Sequence, residues 1–72
     1  MESKPQVLLG RKVRLLRTKL DWSQERLAEK ADLHWTYISG IERGIRNVAI
    51  ANIAKIAKAL NVSVSKLTED IR

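Results

Sequence analysis

The residues of this chain that could perform catalysis or hold a metal ion are few. The sequence contains one histidine, His34, and no cysteine. This set cannot form a disulfide, a thiolate metal site or a multi-histidine metal site. No serine or acidic residue stands beside the histidine in a recognisable catalytic arrangement, and there is no glycine-rich phosphate loop. We therefore expect no enzymatic activity, no metal, no cofactor and no small-molecule ligand.

The basic residues point to a different chemistry, because their charge is segregated along the chain. The sequence has 14 lysines and arginines against 8 acidic residues, a formal net charge of +6. Residues 1–20 carry six basic side chains and one acidic side chain, residues 43–66 carry five basic side chains and no acidic one, and residues 21–42 have a net charge of −3. Such a distribution suggests a polyanionic partner, either nucleic acid or an anionic membrane surface.

The length of 72 residues predicts a single domain with a small core, over residues 1–72. The first six residues lack a basic region followed by an apolar one, and no apolar stretch approaches the roughly 20 residues that span a bilayer. We expect a soluble, cytoplasmic protein associated with the nucleoid and not with a membrane.

Apolar residues recur at helical spacing along most of the chain. Leu9, Val13 and Leu16, for example, stand at i, i+4 and i+7 and predict one buried helix face. Only residues 62–64 resemble a strand, and they are more simply a connection between helices. The sequence thus predicts an all-α fold of five helices, at about 6–19, 24–31, 35–43, 50–60 and 64–70.

Polar residues and glycine mark the ends of these helices. Ser23 and Ser63 have the side-chain oxygen that an N-cap requires and are interpreted as structural caps. Asp32 tolerates the left-handed conformation of a turn, and Gly44 stands where a left-handed C-terminal cap is needed. Small and apolar residues at 31–34 join two short helices, a pattern that fits both a helix-turn-helix and an antiparallel helical hairpin.

A longer sequence pattern favours the helix-turn-helix. Three strings carry it: Ser23-Gln24-x-x-Leu27-Ala28, Ile38-Ser39-x-Ile41-Glu42-Arg43-Gly44 and Ile56-Ala57-x-Ala59-Leu60-Asn61-Val62-Ser63. Together they closely resemble the lambda repressor/Cro type of helix-turn-helix protein, also called the xenobiotic-response-element family. Residues 36–44 with Arg46-Asn47 are similar to the small controller proteins of restriction-modification systems. The resemblance implies a compact five-helix, lambda repressor-like DNA-binding domain whose motif, helices 2 and 3, covers about residues 23–44.

The resemblance also implies which residues meet DNA. In this family the second helix of the motif enters the major groove, while the first helix crosses the phosphate backbone. Thr36 is the best candidate for a base contact, because its hydroxyl can donate or accept and its methyl can pack on thymine. The base-contact candidates are His34, Trp35, Thr36, Tyr37 and Gly40. The candidates for backbone contacts are Gln24, Ser39, Arg43, Arg46 and Asn47.

Two residues depart from the family pattern. Trp35 stands where relatives usually have a polar or basic side chain, and it could contact sugars or thymine methyls, contact a partner protein or alter specificity. Ala49 stands where relatives often have a serine or threonine cap, so Asn47 could cap the fourth helix instead. The role of Tyr37 is open between packing on the scaffold and donating its hydroxyl to a phosphate.

Other residues are interpreted as structural. The family pattern implies that Arg17 and Glu42 form a partly buried ion pair joining helices 1 and 3, and that Trp22 packs in the core. The pair Lys55 and Lys58 is most simply a solvated face of helix 4. Helix 5 carries apolar residues that a five-helix core needs least, so we place a dimer surface at Val64, Leu67 and Ile71.

The sequence therefore predicts a transcriptional regulator, a repressor or a controller, that binds a pseudo-palindromic operator in double-stranded DNA as a homodimer. A dimer is expected because one recognition helix contacts too few bases to be selective. The alternative is a protein-interaction module, such as an antitoxin-like helix-turn-helix domain with weak DNA binding.

Overall fold

The computed structural model describes residues 4–71 of the chain. Residues 1–3, which entered the expectation about the start of the chain, lie outside this range. The element order is α1 (Pro5–Lys19), α2 (Gln24–Ala31), α3 (Trp35–Glu42), α4 (Ile50–Ala59) and α5 (Val64–Leu67), with no strand among residues 4–71. The predicted all-α class with five helices is confirmed. None of the described helices combines the length and the apolar character needed to cross a bilayer.

Side-chain caps fix the start of two helices. The Ser23 hydroxyl accepts a hydrogen bond from the Arg26 backbone N–H at 3.0 Å, and the Ser63 hydroxyl accepts one from that of Lys66 at 2.9 Å. Both bonds satisfy an amide that has no partner inside the first helical turn. α4 begins differently, because its N-cap residue is Ala49 and no side chain caps it. The alternative in which Asn47 caps a shifted α4 is therefore wrong.

Left-handed residues turn the chain between consecutive helices. Asp32 follows α2 with φ 56°, and Gly44 follows α3 with φ 74°, as their residue types predicted. Asp21 and Asn61 adopt the same conformation after α1 and α4, with φ 59° and 57°. Aspartate, asparagine and glycine tolerate this region better than other residues, so each turn can stay short.

The core is built from the inward residues of all five helices. Leu27, Ile38 and Ile56 are fully buried at its centre, and Trp22 packs against it from the turn before α2, as predicted. The other buried apolar residues are Leu9, Val13, Ala28, Ala31, Ile41, Ala57, Leu60 and Leu67.

The last helix differs most from its prediction. α5 is four residues long, because residues 68–70 form turns instead of a second helical turn. In these turns Glu69 and Asp70 accept contacts from Lys12 of α1, at 2.7 and 3.1 Å. The placement of Leu67 on a dimer surface is also corrected: its side chain is 1% exposed and belongs to the core.

α1 and α3 approach each other closely at Gly10. A Cβ on this residue would collide with the backbone carbonyl oxygen of Ile41 and would lie 3.0 Å from that of Glu42. Only glycine allows two backbones to come this near. The position of α3 is therefore set by a backbone contact as well as by the core.

Candidate nucleic-acid interface

The N-terminal turn of α3 presents three neighbouring exposed side chains. His34 is the N-cap residue, and its Nδ1 accepts a hydrogen bond from the Thr36 backbone N–H at 3.2 Å and lies 2.8 Å from the Thr36 hydroxyl. An Nδ1 that accepts leaves Nε2 as the donor of the ring. Trp35 is 48% exposed, and its ring stacks on that of His34 with centroids 6.5 Å apart. The three side chains thus form a polar and aromatic end of the helix that is open to a ligand.

A second group forms where the loop after α3 folds back over that helix. The Arg46 guanidinium carbon lies 5.4 Å from the centre of the Tyr37 ring, within cation–π distance. The Asn52 amide of α4 donates a hydrogen bond to the Tyr37 hydroxyl oxygen at 3.1 Å. Arg46 thus contacts the ring of Tyr37 and Asn52 contacts its hydroxyl oxygen. The hydroxyl proton of Tyr37 remains available to an acceptor such as phosphate.

Gly40 has a different position from the one predicted. It is buried, and a Cβ on it would lie 2.8 Å from the Arg46 Cγ. The aliphatic part of Arg46 covers it, so Gly40 does not face a ligand directly. The prediction that Gly40 contacts a base is therefore wrong. The absence of a side chain at Gly40 instead leaves space for Arg46.

Some polar residues around α3 are exposed, and others are half-buried or hydrogen-bonded within the protein. Arg43, Arg46 and Asn47 are exposed, and neither arginine forms an ion pair with an acidic side chain among residues 4–71. Ser39 is half-buried. Gln24, at the first position of α2, donates from its amide to the Glu42 carboxylate at 3.1 Å. Its amide oxygen and the exposed arginines remain available.

The two residues predicted as an ion pair are joined by two hydrogen bonds. Arg17 Nε and Nη2 donate to the two carboxylate oxygens of Glu42 at 2.6 and 2.9 Å, and Nη1 donates to the Trp22 carbonyl at 2.6 Å. The side chains are only 12% and 3% exposed. Hydrogen bonds to Glu42 raise the pKa of Arg17 above its ordinary value. The cluster connects α1, the start of α2 and the end of α3.

Sequence reasoning missed Asn52. It is a polar residue among the apolar residues of α4, and such a residue on a helix that packs against others usually has a partner. The sequence could not identify that partner as Tyr37. Among residues 4–71 there is no group of three histidine, aspartate or glutamate side chains that could hold a metal ion.

Comparison with known proteins agrees with this geometry. A family model described as helix-turn-helix matches residues 13–67. The control protein C.BamHI of Bacillus amyloliquefaciens is 51% identical over 70 residues, which cover 96% of this chain and 86% of that protein. The crystal structure of the restriction-modification controller protein C.AhdI from Aeromonas hydrophila has a TM-score of 0.84 at 44% identity, over 86% of this chain and 94% of that one. The controller protein C.Esp1396I, solved as a tetramer in complex with its natural 35 base-pair operator, has a TM-score of 0.85 at 38% identity, over 96% and 91% of the two chains.

Proposed function

The chain belongs to the helix-turn-helix family of lambda repressor/Cro type, and from this premise we propose that it is a transcriptional regulator of restriction-modification controller type that binds operator DNA. The observation that carries the proposal is the exposed N-terminal end of α3, where Thr36 and Trp35 lie outside the core. The function is binding and not catalysis. We place the protein in the cytoplasm, on the DNA of the nucleoid.

In the proposed complex, the N-terminal half of α3 lies in the major groove. Thr36, Trp35 and the Nε2 donor of His34 meet base edges, because these side chains precede the half of α3 that is packed in the core. Tyr37, held by Asn52 and Arg46, stands one residue further and donates to a phosphate or a base. The Trp35 ring packs on deoxyribose or a thymine methyl.

The surrounding polar residues fix the domain on the DNA backbone. Arg43, Arg46 and Asn47 follow α3 and contact phosphates on one side of the groove, together with the partly exposed Ser39 hydroxyl. Gln24 at the start of α2 contacts the backbone on the other side, where the helix dipole favours an anion. These contacts supply affinity that depends on salt but little sequence preference.

We further propose that two copies bind a pseudo-palindromic operator with half-sites about 34–36 Å apart, one helical turn of DNA. The C.Esp1396I relative supports a multimer, since it is a tetramer on its operator. Activation at one site and repression at another both fit this arrangement.

The first test is selection from a randomised duplex pool, followed by fluorescence polarisation at several salt concentrations. Enrichment of an inverted repeat is expected. Thr36→Val should lower the affinity for the selected site by about 5- to 150-fold, the value of one base contact of about 1–3 kcal/mol, with little effect on unrelated duplexes.

Arg43→Gln provides the complementary variant. It should weaken binding to all duplexes and reduce the salt slope by about 0.9, whereas the same change at Lys58, away from α3, should leave the slope unchanged. Failure to enrich any sequence, with binding that does not depend on salt, would contradict the proposal and favour a protein partner.

A further inference from the structure

The N-cap of α3 is a histidine, although serine, threonine, aspartate and asparagine are the usual N-cap residues. An N-cap side chain must accept a hydrogen bond, because the first amides of a helix have no carbonyl partner within that helix. The amides of Tyr37 and Ile38 donate to the His34 backbone carbonyl oxygen. The Thr36 amide donates instead to Nδ1 of the His34 ring, at 3.2 Å. The ring is therefore the acceptor for the Thr36 amide.

This cap determines which nitrogen of the His34 ring carries the proton. In a neutral imidazole one nitrogen donates a hydrogen bond and the other accepts one. A proton on Nδ1 would point towards the Thr36 N–H and leave that amide without its acceptor, so Nδ1 must hold the lone pair. The proton is then on Nε2.

The same lone pair determines the direction of a second hydrogen bond. Thr36 Oγ1 lies 2.8 Å from His34 Nδ1, a distance typical of a hydrogen bond. Because Nδ1 has no proton, the Thr36 hydroxyl must be the donor. A threonine hydroxyl has only one proton, so its oxygen retains lone pairs alone for any other partner. Thr36 is exposed, so this oxygen can still accept a hydrogen bond from a ligand.

We propose that His34 is a positioning residue that makes Thr36 a hydrogen-bond acceptor towards DNA, so that Thr36 selects a base with an exocyclic amine. In the major groove the amines are N6 of adenine and N4 of cytosine, whereas guanine and thymine present carbonyl oxygens. A carbonyl oxygen opposite Thr36 would meet a second acceptor and lose its bond to water without a replacement. The inference rests on the proposed function, because it names the chemical group that the exposed end of α3 recognises.

NMR of the free, untagged protein tests the position of the ring proton. His34 is the only histidine of the chain, so the correlations between its ring protons and ring nitrogens need no assignment. The nitrogen shifts of the neutral ring should show a protonated Nε2 and an unprotonated Nδ1. A protonated Nδ1 in the neutral ring would overturn the inference. This measurement uses no DNA, so its result does not depend on the proposed function.

The base preference is tested with operator duplexes that lack one chemical group. Thr36→Val identifies the base pair that Thr36 contacts, because the preference at that pair should weaken in this variant. At that pair, one duplex carries a base analogue without the exocyclic amine, and another carries an analogue of the partner base without the carbonyl oxygen. Loss of the amine should weaken wild-type binding by about 2- to 13-fold, the value of one hydrogen bond, more than it weakens Thr36→Val. Loss of the carbonyl should affect both proteins equally.

Variants of His34 separate positioning from capping. His34→Ala frees the Thr36 hydroxyl to donate or accept, so loss of the amine should weaken this variant less than the wild type. His34→Asn retains an oxygen that can accept from the Thr36 amide and hydroxyl, so it should keep the wild-type response to the amine even if its overall affinity differs. Ser23→Ala is the matched control: it removes the cap of α2 and should lower the melting temperature as His34→Ala does, without altering the response to the amine.

Three results of the binding measurements would overturn the inference while leaving the proposed function intact. They are equal wild-type affinity with and without the amine, a response to the carbonyl that Thr36→Val abolishes, and a His34→Ala variant that responds to the amine as the wild type does. A wild type that binds no duplex specifically would refute the proposed function and, with it, the role of Thr36 towards DNA. The NMR measurement would then still decide whether His34 accepts from Thr36 in the free protein.

Discussion

Removing the carboxylate of Glu42 should destabilise the protein more than any other single charge deletion that we consider. In Glu42→Ala, the Arg17 side chain, 12% exposed in the wild-type structure, loses its carboxylate partner, and the Gln24 amide also loses an acceptor. Breaking a buried pair from one side costs about 3–5 kcal/mol. We expect about 3 kcal/mol, the lower end, because Arg17 retains some contact with water and its bond to the Trp22 carbonyl.

This loss is large for a chain of 72 residues. Domains of that length have a free energy of unfolding of about 4–11 kcal/mol, and 1 kcal/mol shifts the melting temperature by about 4–8 °C. Glu42→Ala should therefore lower the melting temperature by about 12–24 °C, measured by circular dichroism with a parallel urea titration. Glu29→Ala is the control, because its ion pair with Arg26 is exposed and should contribute less than about 1 kcal/mol.

A double-mutant cycle measures whether Arg17 and Glu42 stabilise each other or are only close in space. The cycle consists of Arg17→Met, Glu42→Leu and the double variant. The double variant leaves no unpaired charge at this site, so it should be more stable than Glu42→Leu alone. A shift of less than about 4 °C for Glu42→Ala, or two single effects that simply add, would refute this account of the cluster.

Three further changes should have smaller effects. Ala49→Ser supplies the missing N-cap of α4 and should stabilise the protein by about 0.5–2 kcal/mol, seen as a higher melting temperature; no change would show that the serine hydroxyl does not reach the helix amides. Hydrogen bonds from Lys12 lower the pKa of Glu69 below its ordinary value of 4.5, so the stability from this pair is present above pH 4.5 and is lost as the pH falls below 4.5 and through the lowered pKa. Glu69→Gln should accordingly reduce the fall of the melting temperature at acidic pH. An unchanged fall would contradict the contribution of the Lys12–Glu69 pair to stability. Asn52→Ala removes the hydrogen bond to the Tyr37 hydroxyl and should weaken operator binding by about 2- to 13-fold in fluorescence polarisation, since ordering one side chain costs about 0.5–1.5 kcal/mol. An equal affinity would show that Tyr37 does not need this hydrogen bond to bind DNA.

Local sequence determined most of the fold. The helices α1 to α4 begin and end within about one residue of the predicted bounds, because apolar periodicity, Ser23 and the left-handed turn residues all act within a few positions of the chain. α5 was predicted too long: it ends at Leu67, and residues in the turns that follow contact Lys12, which is 57 positions away from Glu69. Periodicity placed Val64 and Leu67 on one face but could not tell which of them meets the core.

Less of the candidate site than of the fold could be predicted from the sequence. The exposure of Trp35 and Thr36 follows from their place before the inward residues of α3. The position of Arg46 over Gly40 and Tyr37 depends on the path of residues 45–49. These residues have no helical or strand periodicity, so the sequence did not predict that path.

The close backbone contact at Gly10 has a consequence for how such regulators diverge. Because α3 is positioned by main-chain atoms and by its inward residues, the side chains at positions 35 and 36 can change without moving the helix or weakening the core. Operator preference and stability are then nearly independent traits. Two regulators that descend from one gene and differ at these positions can therefore be present in the same cell, bind different operators and be equally stable.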